Sequence, residues 1–322
     1  MKRIAMVCGA ALAVLAVAGG PAPEAGAAAY PERPVKFILP WAAGGDTDVI
    51  KRVFANMLQK ELGQPVVVTN ITGASGTVGA REAKNAPPDG YTIYSTHDYI
   101  HSTYYTGVSD VNYGDFEPVC LVTSTPAILA AYGKSRWSNL KELLDDARRR
   151  PGEIKVGATL GSTSHFFPAL IERDGKVKFR YVSYEGTAPR MTALLGGHID
   201  LGESNLTQAD KAKGGQLKFL AIATEKRHPE APDLPTLKEL GVNVTYAVNR
   251  GVVAPKGTPE TILVKVEDAC GKVAKDPAFA EAMKKHGTDV SFLGRKAYAE
   301  FFKKNDLLNK ELAAELGLLK RK

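Results

Sequence analysis

Four turns in this chain set small residues where an extended run gives way to a helical one, and they restrict its fold more than any other feature. They are "PWAAGGDTD" at 40–48, "NITGASGTVG" at 70–79, "GATLGSTSHF" at 157–166 and "YEGTAPRM" at 184–191. The first lies between "VKFILP", a buried strand by its apolar run, and "TDVIKRVFANMLQKELG". In the latter Val49, Ile50, Val53, Phe54, Met57, Leu58 and Leu62 keep an i, i+4 rhythm, and Gly63 suits the stop of a helix. Alternation of strand and helix implies parallel sheet with helices on both faces. In open sheets of that kind the strand-to-helix ends line the ligand crevice.

The same alternation runs through most of the 322 residues. "PVVVT", "YTIYS", "IKVGA", "VKFRYVS", "HIDLG" and "LKFLAIAT" read as strands, with helical segments at 77–86, 164–173, 187–195 and 206–213. From Pro259 onward the pattern is nearly all helical. Helices without strand partners must cover an existing sheet, so this segment is expected back on the amino-terminal half. The chain would then cross between halves twice, near "CLVTSTPAILAA" and near "VNRGVVAP". The expected architecture is α/β with two lobes, 30–125 plus 251–322 and 126–250, and a cleft between them.

Residues 1–29 read differently. Lys2 and Arg3 precede an apolar stretch, and small residues follow in "PAPEAGAAAY". This is the pattern of a secretory signal peptide, with cleavage expected near Ala27 or Ala29 and the periplasm as destination. Cys8 would leave with the leader, whereas Cys120 and Cys270 remain. Export permits a disulfide, and sequence leaves its formation open. The formal charge is +7, and removing Lys2, Arg3 and Glu24 gives +7 − (2 − 1) = +6. The cations are scattered apart from "RRR" at 148–150 and the terminal "KRK", which describes solvated helix faces rather than a nucleic-acid surface.

A helix amino terminus has unpaired N–H groups and a partial positive charge, so it suits an anion. Gly44 and Gly45 let a ligand approach the backbone ahead of Asp46 and Thr47. Gly73, Ser75, Gly76 and Thr77 repeat the device, as do Ser162, Thr163 and Ser164, and then Gly186 and Thr187 with Pro189 in the first turn. A single such turn often serves only to cap its helix; four in one chain favour a shared anionic ligand. None has the G-x-G-x-x-G or G-x-x-x-x-G-K-[ST] spacing of nucleotide sites. Hydroxyls and amides without a lysine or arginine clamp suit one carboxylate better than a polyphosphate. Catalysis has no support: "GASGT" is not a nucleophile elbow, and His165 adjoins Ser164 with no acid placed to orient it. His97, Asp98 and His101 could suggest a metal, but six histidines without H-E-x-x-H make rim or surface positions the ordinary account. No cofactor and no metal are expected.

Taken in order, these stretches resemble the periplasmic solute-binding receptors of tripartite tricarboxylate transporters, the Bug family. The resemblance covers essentially all of the chain after the leader. It is carried by "YPERPVKFILPWAAGGDTD", "NITGASGTVGA", "APPDGYTI", "PGEIKVGATLGSTSHF", "YEGTAPRMTALLGGHIDLG", "PDLPTLKELG" and "GVVAPKGTPE". It implies a two-lobed periplasmic-binding-protein fold, type II-like, that holds a small carboxylate in its cleft, partly through ordered water. The matching loops are 42–47, 73–77, 162–165 and 186–189. They bring Ala42, Ala43, His165 and Ala188 into the candidate set, beside Trp41 as an apolar wall, His97, Tyr184 and Asp200. The implied partners are a pair of membrane transport proteins, and a monomer is expected.

Departures from the family's usual residues bear on the ligand. Asp46 follows the paired glycines, Glu185 stands in the Y-x-G-x-A-P loop, "NITG" replaces a common N-R-P-G, and Glu203 follows Asp200 on the next strand end. Acids near a carboxylate site repel a polyanion. The expected solute is therefore a monocarboxylate bearing a cationic or polar amide group, unless Asp46 merely caps its helix and Glu185 faces solvent. Residues 97–104, "HDYIHSTY", are expected at the far end of the pocket. Competing functions are a receptor that presents its ligand to a signalling protein and a secreted hydrolase.

Overall fold

The computed structural model describes residues 30–321; the expected leader lies outside them. The described chain opens with β1 (Val35–Leu39), α1 (Asp46–Leu62), β2 (Val66–Asn70), α2 (Thr77–Lys84), β3 (Thr92–His97) and α3 (Tyr99–Tyr105). It continues through β4 (Phe116–Pro126), β5 (Ile128–Tyr132), α4 (Leu140–Arg149), β6 (Lys155–Ala158), α5 (Thr163–Gly175) and β7 (Arg180–Ser183). Next come α6 (Thr187–Leu195), β8 (Leu201–Ser204), α7 (Ala209–Lys213), β9 (Leu217–Ile222) and β10 (Ala247–Pro255). The last elements are α8 (Glu260–Lys275), α9 (Pro277–Lys285), β11 (Asp289–Leu293) and α10 (Arg295–Glu315).

The strands form two sheets, one in the order β11-β4-β10-β3-β1-β2 and one in the order β7-β6-β8-β5-β9. Each has a parallel heart: β1 pairs in parallel with β2 and β3, and β6 with β7 and β8. Antiparallel strands extend both, β10, β4 and β11 in the first sheet and β5 and β9 in the second. The nearly all-helical carboxyl-terminal segment expected from sequence also holds one unexpected strand, β11, which pairs with β4 at the sheet edge.

Local sequence explains the elements that reach the crevice. β1 is an apolar run with Val35, Phe37, Ile38 and Leu39 fully buried, as a strand covered on both faces must be. On α1 the stripe Ile50, Phe54, Leu58 and Leu62 is buried, and Gly63 at φ 72° ends the helix by donating to the Gln59 carbonyl.

The chain passes between the sheets at Ala127 and returns through 223–246. The two passages are hydrogen-bonded to one another: Ala127 N–H donates to Tyr246 O at 3.0 Å, Ala223 N–H to Ala127 O at 2.8 Å, and Tyr246 N–H to Ala223 O at 2.9 Å. A disulfide joins Cys120 of β4 to Cys270 of α8, with Cα atoms 6.6 Å apart, which closes the question that sequence left open. The final helix α10 serves both sheets. Tyr298 and Phe302 pack with Ile38, Tyr94 and Val253, whereas Leu312 and Leu316 pack against the cluster under the second sheet.

Candidate functional site

A cavity of about 30 Å³ lies where the strand-to-helix turns of the two sheets meet. Trp41, Asp46, Thr47 and His97 line it from the first sheet's side. Thr159, Ser162, Thr163, Ser164, Gly186, Thr187, Arg190 and Glu203 line it from the second, and Val248 and Arg250 from the returning strand β10. Helices α1, α5 and α6 all begin here, and none has a side-chain cap: Gly45, Ser162 and Gly186 hold the cap positions without a side-chain hydrogen bond. Three first turns therefore present amides that no capping side chain satisfies. Gly186 has φ 99°, a backbone conformation that residues with a side chain rarely adopt, so this turn keeps its shape only with glycine.

Four buried charges share the cavity wall, and sequence reasoning missed the two that matter most. Arg250 is 1% exposed and pairs with Asp46; its Nε donates to Thr47 Oγ1 at 2.9 Å and its Nη1 to Thr125 Oγ1 at 2.7 Å. Arg190 is 2% exposed and pairs with Glu203, while its Nη2 also donates to the Glu203 carbonyl at 3.1 Å and to Thr187 Oγ1 at 3.3 Å. The expectation of a site without an arginine clamp is thus overturned. Burial drives the Asp46 carboxyl up, but Arg250, the Thr187 hydroxyl and Arg190 outweigh it and hold its pKa below the ordinary value. Glu203 goes the other way: burial raises its pKa, Arg190 opposes this and Asp46 adds to it. His97 is kept neutral, its pKa well below the ordinary range through burial and then Arg250. Behind them Lys51 is fully buried with Nζ 3.1 Å from Gly251 O, and burial and Arg250 depress its pKa too.

Gly45 rather than Asp46 holds the cap position of α1, and Asp46 is the helix's first residue. Its Oδ1 accepts from Thr187 Oγ1 at 2.7 Å and its Oδ2 from Asn205 Nδ2 at 3.1 Å, both on the second sheet's side. Glu185 is exposed but not idle, since its Oε2 accepts from Ser75 N–H at 2.9 Å across the same divide. Ser75 Oγ donates in turn to Leu160 O at 3.0 Å.

The other candidates fall around this centre. Trp41, expected as an apolar wall, lines the cavity and stacks on His97 with centroids 5.3 Å apart. Gly45 is buried, and a Cβ there would come within 3.7 Å of Ala188 N, so the starts of α1 and α6 nearly touch. Ala42, Ala43 and Gly44 form the outer turn, where Gly44 N–H donates to Asp48 Oδ2 at 2.9 Å. Gly73 at φ 120° shapes the next loop, Gly76 packs beneath Tyr99 and Trp41, and Thr77 opens α2; none of them lines the cavity. Ala188 and Pro189 follow in the first turn of α6, half-buried, and Tyr184 contributes its carbonyl, which accepts from Thr159 Oγ1 at 2.8 Å. His165 turns away from the cavity to accept from Gly161 N–H at 3.2 Å, edge-on to Tyr181.

Two expectations need correction. Asp200 is bound at the opposite end of the second sheet, where its Oδ2 accepts from Lys155 N–H at 2.8 Å at the start of β6. Of residues 97–104 only His97 reaches the cavity: Asp98 binds Asn249 and Asn305, and His101 packs on Phe302 and bonds Asp306. Helix α3 turns those side chains into the core. Among the described residues no cluster of histidine, cysteine or carboxylate has metal-ligand geometry.

Two mixed sheets flanked by helices and joined by paired crossings, with three helix amino termini meeting at one cavity, define a solute-binding protein of the periplasmic-binding class. More narrowly, the chain belongs to the tripartite tricarboxylate transporter family of receptors, whose sequence pattern matches residues 50–318. It is 32% identical over 294 residues to Protein BugT of Bordetella pertussis, covering 89% of each chain. The structure of the periplasmic binding protein BugD superposes with a TM-score of 0.86 at 33% identity, covering 91% of this chain and 100% of that one. MatC of Rhodopseudomonas palustris, solved with bound malate, gives 0.82 at 28% identity, covering 88% and 99%.

Proposed function

We propose that this receptor captures a small carboxylate between its two halves, 30–125 with 251–322 and 126–250, and delivers it to a membrane transporter. One observation carries the reading: three uncapped helix amino termini and the hydroxyls of Ser162, Thr163, Ser164 and Thr187 meet at one cavity. Such a wall supplies hydrogen-bond donors and positive dipole ends, which fit an acceptor-only anion. The malate in MatC agrees in class. The glycines at 44–45, 73, 76 and 186 hold the loops close enough for the helix ends to meet. The reading includes export by residues 1–29, a monomeric receptor and no catalytic turnover; His165, the one histidine beside a serine of the wall, faces away.

A cavity of about 30 Å³ has room for little more than ordered water, far less than the several hundred Å³ common in ligand sites. Solute entry therefore requires the halves to part, breaking the bonds from Thr187 and Asn205 to Asp46 and from Ser75 to Glu185. Thermal unfolding of the ligand-free protein against mono-, di- and tricarboxylates, aromatic acids and amino acids tests the function. A ligand at 100 times its dissociation constant adds about 2.7 kcal/mol, and that gain should vanish when the carboxylate is amidated. Silence across the whole panel would refute carboxylate capture.

A further inference from the structure

We propose that Arg190 receives the solute's carboxylate and that Asp46 and Glu203, already bound to the two arginines, restrict the site to solutes with a single negative charge. The inference rests on the carboxylate reading above and goes on to name the charge class.

Arginine has five N–H donors. All three nitrogens of Arg250 donate, in four bonds to Thr47, Thr125, the Val248 carbonyl and Asp46. On Arg190, Nε and Nη2 are engaged by Glu203 and Thr187. Arg190 Nη1 has no hydrogen-bond partner among the described residues, although the side chain is 2% exposed and lines the cavity. Trp41 on the same wall carries a further donor without a partner, its Nε1, which is buried. A buried indole N–H left without an acceptor is costly, and the unpaired guanidinium nitrogen belongs to a residue of the same wall, so both point to an occupant that brings acceptors. An ionised carboxylate is acceptor-only, and its geometry matches a guanidinium.

Charge sets the limit. Two guanidinium groups and two carboxylates cancel in the cavity wall. Three helix amino termini contribute roughly half a positive charge each, about 1.5 in all. That suffices for one carboxylate. A second would be buried beside Asp46 or Glu203 with no free countercharge, the costly case.

Isothermal titration of the protein beginning at residue 30 tests this, with pyruvate, benzoate and L-glutamine as single-carboxylate probes and L-malate and citrate as polyanions. At least one single-carboxylate probe should bind, with malate and citrate at least about tenfold weaker. Both R190K, which keeps the charge beside Glu203, and the neutral pair R190Q/E203Q should weaken the bound probe by about 10- to 100-fold. If the double variant does not fold, R190K decides. D46N frees Arg250 and should tighten malate by at least about tenfold. Tightest binding of malate or citrate by the unmodified protein would overturn the inference, as would unchanged affinity in the Arg190 variants, and either result would leave carboxylate capture intact. No binding of any probe would sink the carboxylate reading itself.

Discussion

Thr187 at the start of α6 donates to Asp46 at the start of α1 over 2.7 Å, so one carboxylate clasps two helix ends from different sheets. Asn205 adds a second bond to the same side chain at 3.1 Å. The two helix ends are thereby held together by the protein's own anion, placed where the helix dipoles favour one.

Replacing Thr187 by valine keeps the shape and removes one bond of the clasp. A hydrogen bond to a charged group contributes about 1.5–3 kcal/mol, so the balance between closed and open forms should shift about tenfold or more toward open. Small-angle scattering of the solute-free variant should give a larger radius of gyration than the parent. An unchanged radius would mean that the contact does not hold the halves together.

Arg250 and Asp46 should behave as a unit. Arg250→Met strands a buried carboxylate, which costs about 3–5 kcal/mol and should lower the thermal midpoint by about 10 °C. D46N combined with R250Q removes both charges and should recover most of that loss. A double variant as unstable as Arg250→Met would place the cost in lost packing instead.

Burial holds the pKa of His165 at about 4 rather than near 6.5. The unfolded chain then binds more protons than the folded one between those values, so stability rises with pH across the window and is lost as pH falls from about 6.5 toward 4. At about 1.4 kcal/mol per unit, the term approaches 3 kcal/mol at the acid end. His97, depressed by burial and then by Arg250, acts with the same sign. Glu203, with its raised pKa, opposes them above its unfolded value. The comparison that isolates His165 is therefore H165N against the parent, because asparagine can still accept from Gly161 N–H. Denaturant midpoints at pH 4.5 and 7 should differ less in the variant; equal differences would show that His165 does not contribute.

The Cys120–Cys270 bond closes a loop with a sequence separation of 150. Chain entropy for a loop of that length corresponds to about 5 kcal/mol. Reduction should move the urea midpoint down by the corresponding amount. Thiol titration of the unfolded, unreduced protein starting at residue 30 should find no free thiol. Free thiols there would remove the bond from the account.

The helix starts were legible because their signals are local: a strand, small residues, then an amphipathic run ending at Gly63. The same locality placed Asp46 at the cavity and read Trp41 as a wall. Arg190 and Arg250 were not legible. "PRMTALL" reads as an ordinary helix and "VNRGVV" as an ordinary strand, and the bond from Arg250 to Asp46 spans 204 residues. No spacing rule reaches that far. Asp200 misled for a related reason, since a carboxylate near a strand can sit at either end of its sheet, and here it binds the start of β6. Strand β11 was hidden because "DVSFL" is short, flanked by helices and only partly buried at a sheet edge.

Helix α10 is fastened at Tyr298 and Phe302 to one sheet's core and at Leu312 and Leu316 to the other's. The anchor points are about 15 Å apart along a rod that rises 1.5 Å per residue. A rod gripped at both ends resists shear between the bodies it joins. On the proposed two-lobe reading the halves would separate only as far as the last two turns slide or let go, and those turns carry the ion pair from Glu315 to Arg173. In the proposed opening, the amplitude is thus governed from the outer surface, remote from the solute, by the firmness of one terminal grip.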